Sequence, residues 1–259
     1  MRFATLGSGS KGNATYIESG KTSILIDAGF SGKEIEKRLA AINRCLDDLD
    51  AIFVTHEHQD HIRGAGVLSR RCSIPLFANG GTFCGAEKTV GKVVRFEEFG
   101  TGETIEFQDL MVRSFQISHD AADPVAFVVG DGRVKLGCCT DTGKVSQLMI
   151  ARLGGCNGLI LECNHDPQML KSGPYPPSLQ QRVRSSHGHL CNEDSAAFLS
   201  SLIHPGLQQV VLAHLSETNN DPKLALETMQ AHLPADPTFQ VSCATQKQSG
   251  TLFLLKEQG

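Results

Sequence analysis

The stretch AIFVTHEHQDHIRG, residues 51–64, constrains this chain more than any other. An apolar run reads as a buried strand and leads directly into His56, His58, Asp60 and His61. Side chains alternate along an extended chain, so His56 and His58 point the same way and one metal ion can take both. Asp60 and His61 fall where the chain turns into the next helix, from which they can face a second ion. Imidazole and carboxylate together suit divalent ions such as zinc, manganese or iron. The competing reading is a solvated polar loop, against which stands the crowding of all four residues into six positions.

A second motif points elsewhere. TLGSGSKGNATY, residues 5–16, contains Gly7, Gly9 and Gly12 in G-x-G-x-x-G spacing after a short apolar run. A dinucleotide site needs a helix after those glycines, and a P-loop needs a G-K-[ST] ending. Here the β-branched stretch NATYIESGKTSILIDAGF follows, which predicts a strand hairpin turning at SGK. Both nucleotide-fold readings fail on context.

The remaining pattern mixes the two element types in both halves. Strands are expected at about 1–7, 13–18 and 22–28, and a helix opens at Ser31 with Glu34 as its capping-box partner. IRGAGVLSRR reads as a helix, IPLFAN as a strand, and 93–139 as mostly strand with a hairpin turn at GDGR. Helices follow at about 144–153, 177–186 and 193–203, and another has Asp221 as N-cap and Pro222 at its first position. GLILEC, QVVLAH, QVSCA and TLFLL read as strands. This order suggests two sheets packed together with helices outside. No linker divides the sequence, so residues 1–259 are read as a single domain.

Lys and Arg number 24 against 28 Asp and Glu, a formal charge of −4 that argues against bulk attraction to nucleic acid but allows a local basic patch. The nine cysteines are scattered, and Cys138 and Cys139 are adjacent, a pattern of buried thiols in a reducing compartment. With no apolar signal region and no run of membrane-spanning length, the expected setting is cytoplasmic, with no membrane partner.

The H-x-H-x-D-H pattern resembles the metallo-β-lactamase-fold hydrolases, which implies an α+β fold, an αββα sandwich with a dinuclear metal site along one edge of two sheets. Under that resemblance Asp27 in LIDAG supports a ligand histidine from behind. His119 in ISHDA, Asp141 in GCCTDTG and His214 in VLAHLSETNN match the remaining ligands in order. The resemblance assigns His56, His58 and His119 to one ion, Asp60, His61 and His214 to the other, and Asp141 to the bridge. It implies two divalent ions per chain (zinc or manganese, with iron as a candidate) and a metal-bridging hydroxide as nucleophile.

Four longer stretches, GSGSKGNATY, LECNHDPQML, HGHLCNEDSA and HLSETNND, resemble the YycJ/WalJ-type branch. That likeness implies a phosphodiesterase with 5′-to-3′ exonuclease activity, with duplex DNA ends as the favoured substrate. Cys191 departs from it, since a serine is expected there. On this reading Asp60 and Asp141 are catalytic, and His165 is a phosphate-binding group or the general acid. Ser8, Ser10, Asn13 and His189 are candidates to bind substrate. Without the resemblance, the first loop reads as a tight β-loop that needs glycine, and His165 and His189 read as structural; with it, the two readings of the loop stand level. Arg182, Arg184 and Lys171, and likewise Arg63, Arg70 and Arg71, read as solvated helix faces or as a phosphate-tracking groove. Two rivals remain: a thioester hydrolase of the glyoxalase II kind, and a non-catalytic metal or nucleic-acid binding protein.

Overall fold

The computed structural model describes residues 1–257. Strands β1 (Arg2–Gly7), β2 (Ala14–Glu18), β3 (Ser23–Ile26), β4 (Ala51–Phe53), β5 (Leu76–Ala78) and β6 (Phe96–Glu98) form one sheet in that order. The second sheet is built from β7 (Thr104–Phe107), β8 (Leu110–Gln116), β9 (Val125–Gly130), β10 (Lys135–Cys139), β11 (Gly158–Glu162), β12 (Gln209–Ala213) and β13 (Gln240–Cys243). The last strand, β14 (Phe253–Leu254), returns to the first sheet beside β1. Helices α1 (Gly32–Ala40), α2 (Gln59–Ile62), α3 (Ala65–Cys72) and α4 (Gly80–Val90) belong to the first half. The second half carries α5 (Gln147–Leu153), α6 (Pro167–Ser172), α7 (Pro177–Val183), α8 (Asn192–Leu202) and α9 (Pro222–His232).

Three apolar layers follow from this arrangement. The middle one joins the inner faces of both sheets: Ile24, Ile26 and Phe53 meet Val112, Phe127, Ile160 and Val211. Within it Phe53 stacks on Phe77 with ring centroids 4.4 Å apart and meets Phe127 edge-on at 6.1 Å. Removing such a ring typically costs about 3–5 kcal/mol. Outside the first sheet, Leu25, Ile52 and Leu76 pack with Ile35 and Leu39 of α1 and Leu68 of α3. Outside the second, Leu159, Leu161, Val210 and Leu212 pack with Met149 and Leu153 of α5, Leu199 of α8 and Met229 of α9. Strands β4, β11 and β12 are buried along their whole length because both faces are covered. The expected two-sheet sandwich with outer helices is the observed fold.

Direction matters more than composition for the site. Strands β3 to β6 run parallel to one another, as do β10 to β13. Strand β8 shares the direction of β10, because both are antiparallel to β9. The carboxyl ends of these strands in the two sheets come together at one edge of the sandwich, where side chains on the following loops can converge.

Candidate metal centre

Each sheet delivers its polar residues to that edge as a strand ends. Asp27 follows β3, His56 and His58 follow β4, His119 follows β8, Asp141 follows β10, and His214 follows β12 directly. Asp27, Asp141 and His214 all take left-handed backbone, with φ of 62°, 60° and 55°. Aspartate and histidine tolerate that region better than most residues, and clustered left-handed positions are a mark of functional sites.

The side chains converge. Nε2 of His56 and Nδ1 of His58 lie 3.2 Å apart, and Nε2 of His119 lies 3.3 Å from the same His58 nitrogen. On the other side, Nε2 of His61 is 3.5 Å from both Asp60 Oδ2 and Asp141 Oδ2. Nε2 of His214 approaches Asp60 Oδ2 at 4.0 Å, and Asp141 Oδ1 lies 3.9 Å from His119 Nε2. Asp141 therefore stands between the two groups. All seven expected ligand residues meet in one place.

Most of the ring nitrogens facing away from the centre are tied back. His61 Nδ1 donates to Asp27 Oδ2 at 2.7 Å, and His56 Nδ1 meets Thr55 Oγ1 at 2.9 Å. That hydroxyl in turn donates to Asp27. His214 Nδ1 lies 3.1 Å from Glu162 Oε1. Holding Nδ1 fixes ring orientation and presents Nε2, as histidines that ligate metals require. Asp27 thus stands behind His61.

Glu162 was not singled out in the sequence. It is the last residue of β11 and buried, and it also accepts from His189 Nδ1 at 2.7 Å and from the Thr142 amide at 2.8 Å. Its carboxylate gathers Asp141, His189 and His214 into one cluster of donor atoms, beside the clusters His56–His58–His119 and His56–His61–Asp141. An acid inside an otherwise apolar strand, with no cation nearby in sequence, was the signal available.

The donor set fits divalent cations. Asp27, Asp141 and Glu162 are buried and Asp60 is half-buried, and their partners are histidines, the Thr55 hydroxyl, the Asn13 amide and backbone rather than lysine or arginine. Asp141 Oδ2 and His214 Nε2 are buried without a hydrogen-bond partner among the described residues. Burial alone would lower the basicity of His214, yet Asp141, Glu162 and Asp60 push it up to about 9. The same opposition, decided by Asp27, Asp141 and Asp60, raises His61. The cluster calls for positive charge, which metal ions would supply in place of protons.

The first loop has a different task from the one expected for most of it. Ser8 and Asn13 are buried and do not line the cavity above the cluster. Ser8 Oγ accepts from the His214 amide at 2.9 Å, and the Asn13 side-chain amide donates to Asp60 Oδ2 at 3.1 Å. These bonds occupy the groups that a substrate phosphate would need, so the loop braces site residues instead. Ser10 does reach the cavity. Gly29 makes the bracing possible: a Cβ there would lie 1.6 Å from the Asp60 carbonyl oxygen.

The cavity holds about 240 Å³ and is lined at its base by His58, Asp60, His119, Asp141, His189 and His214. Arg182 stands at its rim, bound to Asp120 at 2.7 Å. His189 therefore reaches the site. His165 does not line it; the residue is buried, its backbone bridges to Cys191, and burial pushes its imidazole down to about 4. Cys191 caps α8, its sulfur accepting from the Asp194 amide as a serine hydroxyl would.

Comparison with known proteins shows the family. The model of the β-lactamase superfamily domain matches residues 22–215. The chain belongs to that superfamily. It is 41% identical over 250 residues to exodeoxyribonuclease WalJ of Streptococcus pneumoniae, covering 93% of each chain. It is 40% identical over 227 residues to exodeoxyribonuclease YycJ of Bacillus anthracis, covering 87% of this chain and 86% of the relative. Among solved structures, the metallo-β-lactamase fold protein YhfI of Bacillus subtilis superposes with a TM-score of 0.74 at 16% identity, over 96% of this chain and 98% of that one. With that family and those relatives at about 40% identity over most of its length, the chain is a metal-dependent hydrolase. None of its described helices is long and apolar enough to cross a membrane.

Proposed function

We propose that this hydrolase is a dinuclear phosphodiesterase that digests double-stranded DNA from its 5′ ends, with residues 1–259 acting as one domain in the cytoplasm. The observation that carries the reaction class is the placement of Asp141 between the two histidine groups at the base of an open cavity. The substrate is supported by similarity to two exodeoxyribonucleases across most of the chain. The nine cysteines, all free, are in keeping with a reducing compartment.

In this reading His56, His58 and His119 would hold one ion and Asp60, His61 and His214 would hold another, with Asp141 in reach of both groups. Zinc or manganese, with iron as a further candidate, would supply water activation near neutral pH and neutralise phosphate charge. The chain's own groups do the rest. Asp27 and Glu162 fix the rings of His61 and His214. His189, with Nδ1 held by Glu162 and its ring on the cavity wall, carries a proton to the departing oxygen. This replaces His165 as the general acid. Arg182 exchanges Asp120 for a phosphate of the strand.

Linear duplexes labelled at the 5′ or the 3′ end, beside the matching single strands, test substrate and direction together. Early release of the 5′ label from duplex is expected. Early release of the 3′ label, or digestion of single strands alone, would refute the proposed polarity or substrate.

A further inference from the structure

The cavity is lined by residues of two kinds. Its histidines and carboxylates are joined by Tyr175, Leu179 and Val183. Leu179 and Val183 lie four residues apart on α7, so they share one face of that helix. Tyr175 is half-buried and precedes the helix. Its ring has no aromatic partner and its hydroxyl makes no hydrogen bond among the described residues; only its backbone carbonyl is used, accepting from Gln180 at 2.9 Å.

The backbone that carries the ring is nevertheless stiff. Pro174, Pro176 and Pro177 flank Tyr175 in the sequence, and Pro176 has the extended φ of −62° and ψ of 153° of a polyproline segment. Gly173 packs so closely that a Cβ there would lie 2.6 Å from Asn219 Oδ1, on the loop that follows His214. A stiff segment anchored to the site loop presents an unpartnered aromatic face, so little freedom is lost when a flat ligand covers it.

We propose that Tyr175 and Leu179 form a subsite for a nucleobase, the base of the nucleotide whose phosphate lies over the histidine–carboxylate floor. This rests on the phosphodiesterase reading above and adds that the enzyme grips a base face without reading its edge. Stacking of this kind tolerates any base.

Two substrates test it: a duplex with an ordinary 5′-terminal nucleotide, and the same duplex with an abasic terminal residue. On the ordinary duplex, Tyr175→Ala is expected to raise KM about 5- to 100-fold with kcat little changed, and Tyr175→Phe to keep the native KM. On the abasic duplex the native and Tyr175→Ala proteins should have the same KM. An equal KM penalty on both duplexes, or none on either, would overturn the subsite.

Binding is read separately through fluorescence, because the chain has two tyrosines and no tryptophan, and the other, Tyr16, is fully buried. Quenching by deoxyadenosine monophosphate but not by deoxyribose 5-phosphate is expected. Equal quenching by both, or none by either, would overturn the subsite. If the native protein digests neither duplex yet shows the base-dependent quenching, the subsite stands and the DNA-end reading fails.

Discussion

His189 and Glu162 meet at 2.7 Å, and the same carboxylate oxygen lies 3.1 Å from His214. One buried acid therefore orients a histidine of the proposed metal cluster and a histidine proposed to act on substrate. Removing the imidazole in His189→Ala is expected to lower kcat about 10²- to 10⁴-fold with metal content unchanged. Glu162→Gln loosens both rings and should lower metal affinity and activity together, each by about 10- to 100-fold. Metal content measured beside kcat separates the two effects.

Gly29 is expected to tolerate no side chain. A Cβ at this position would lie 1.6 Å from the backbone oxygen of Asp60, so Gly29→Ala must displace the loop that carries Asp60 and His61. A loss of about 1–3 kcal/mol or more is expected, visible as a lower melting temperature, together with weaker metal binding. An unchanged melting curve would show that the two loops are not locked together.

The Arg182–Asp120 pair at the cavity rim is exposed, with Arg182 keeping 62% of its side-chain surface open. Its loss should cost less than about 1 kcal/mol of stability. If Arg182 instead meets a DNA phosphate, Arg182→Ala should weaken binding to all duplex sequences alike. It should also reduce the slope of log affinity against log salt by about one. A binding titration at several salt concentrations reads this directly.

Far from the cavity, Glu18 accepts from Arg44, Tyr16 and Arg2. Burial would raise its pKa, but these bonds prevail and lower it to about 2. A depressed folded-state pKa stabilises above the unfolded value, near 4.5, and that contribution is lost as pH falls toward 2. Urea unfolding across this window should show the native protein losing on the order of 1–3 kcal/mol more than Glu18→Gln. Parallel acid limbs for the two proteins would contradict it.

Much of the site is legible in the sequence because divalent metal chemistry accepts few side-chain types, and strand ends bring them to one edge. His56, His58, Asp60 and His61 announce themselves by spacing, and the distant Asp141 and His214 by resemblance. Glu162 escaped because one acid at the end of GLILE reads as a strand leaving the core; its partners lie 27 and 52 residues away. Ser8 and Asn13 looked like phosphate binders because local sequence does not reveal that Asp60 and His214 use their polar groups. Helix α4 was hidden by Gly80, Gly81 and Gly85, which disfavour helix. Its Asn79 cap and the burial of Ala86 and Val90 decide otherwise. QVSCA and TLFLL were readable as strands, but their separation into opposite sheets depends on partners far along the chain.

Asp141 and its surrounding histidines are proposed to make a two-metal centre that hydrolyses DNA ends. The most direct test is release of label from a 5′-labelled duplex by metal-stripped protein, reloaded stepwise with manganese or zinc, beside Asp141→Asn. The expected result is no release from stripped protein, recovery approaching completion near two equivalents of metal per chain, and no recovery in the variant. Undiminished release from stripped protein, full activity of Asp141→Asn, or no release with either ion would contradict it.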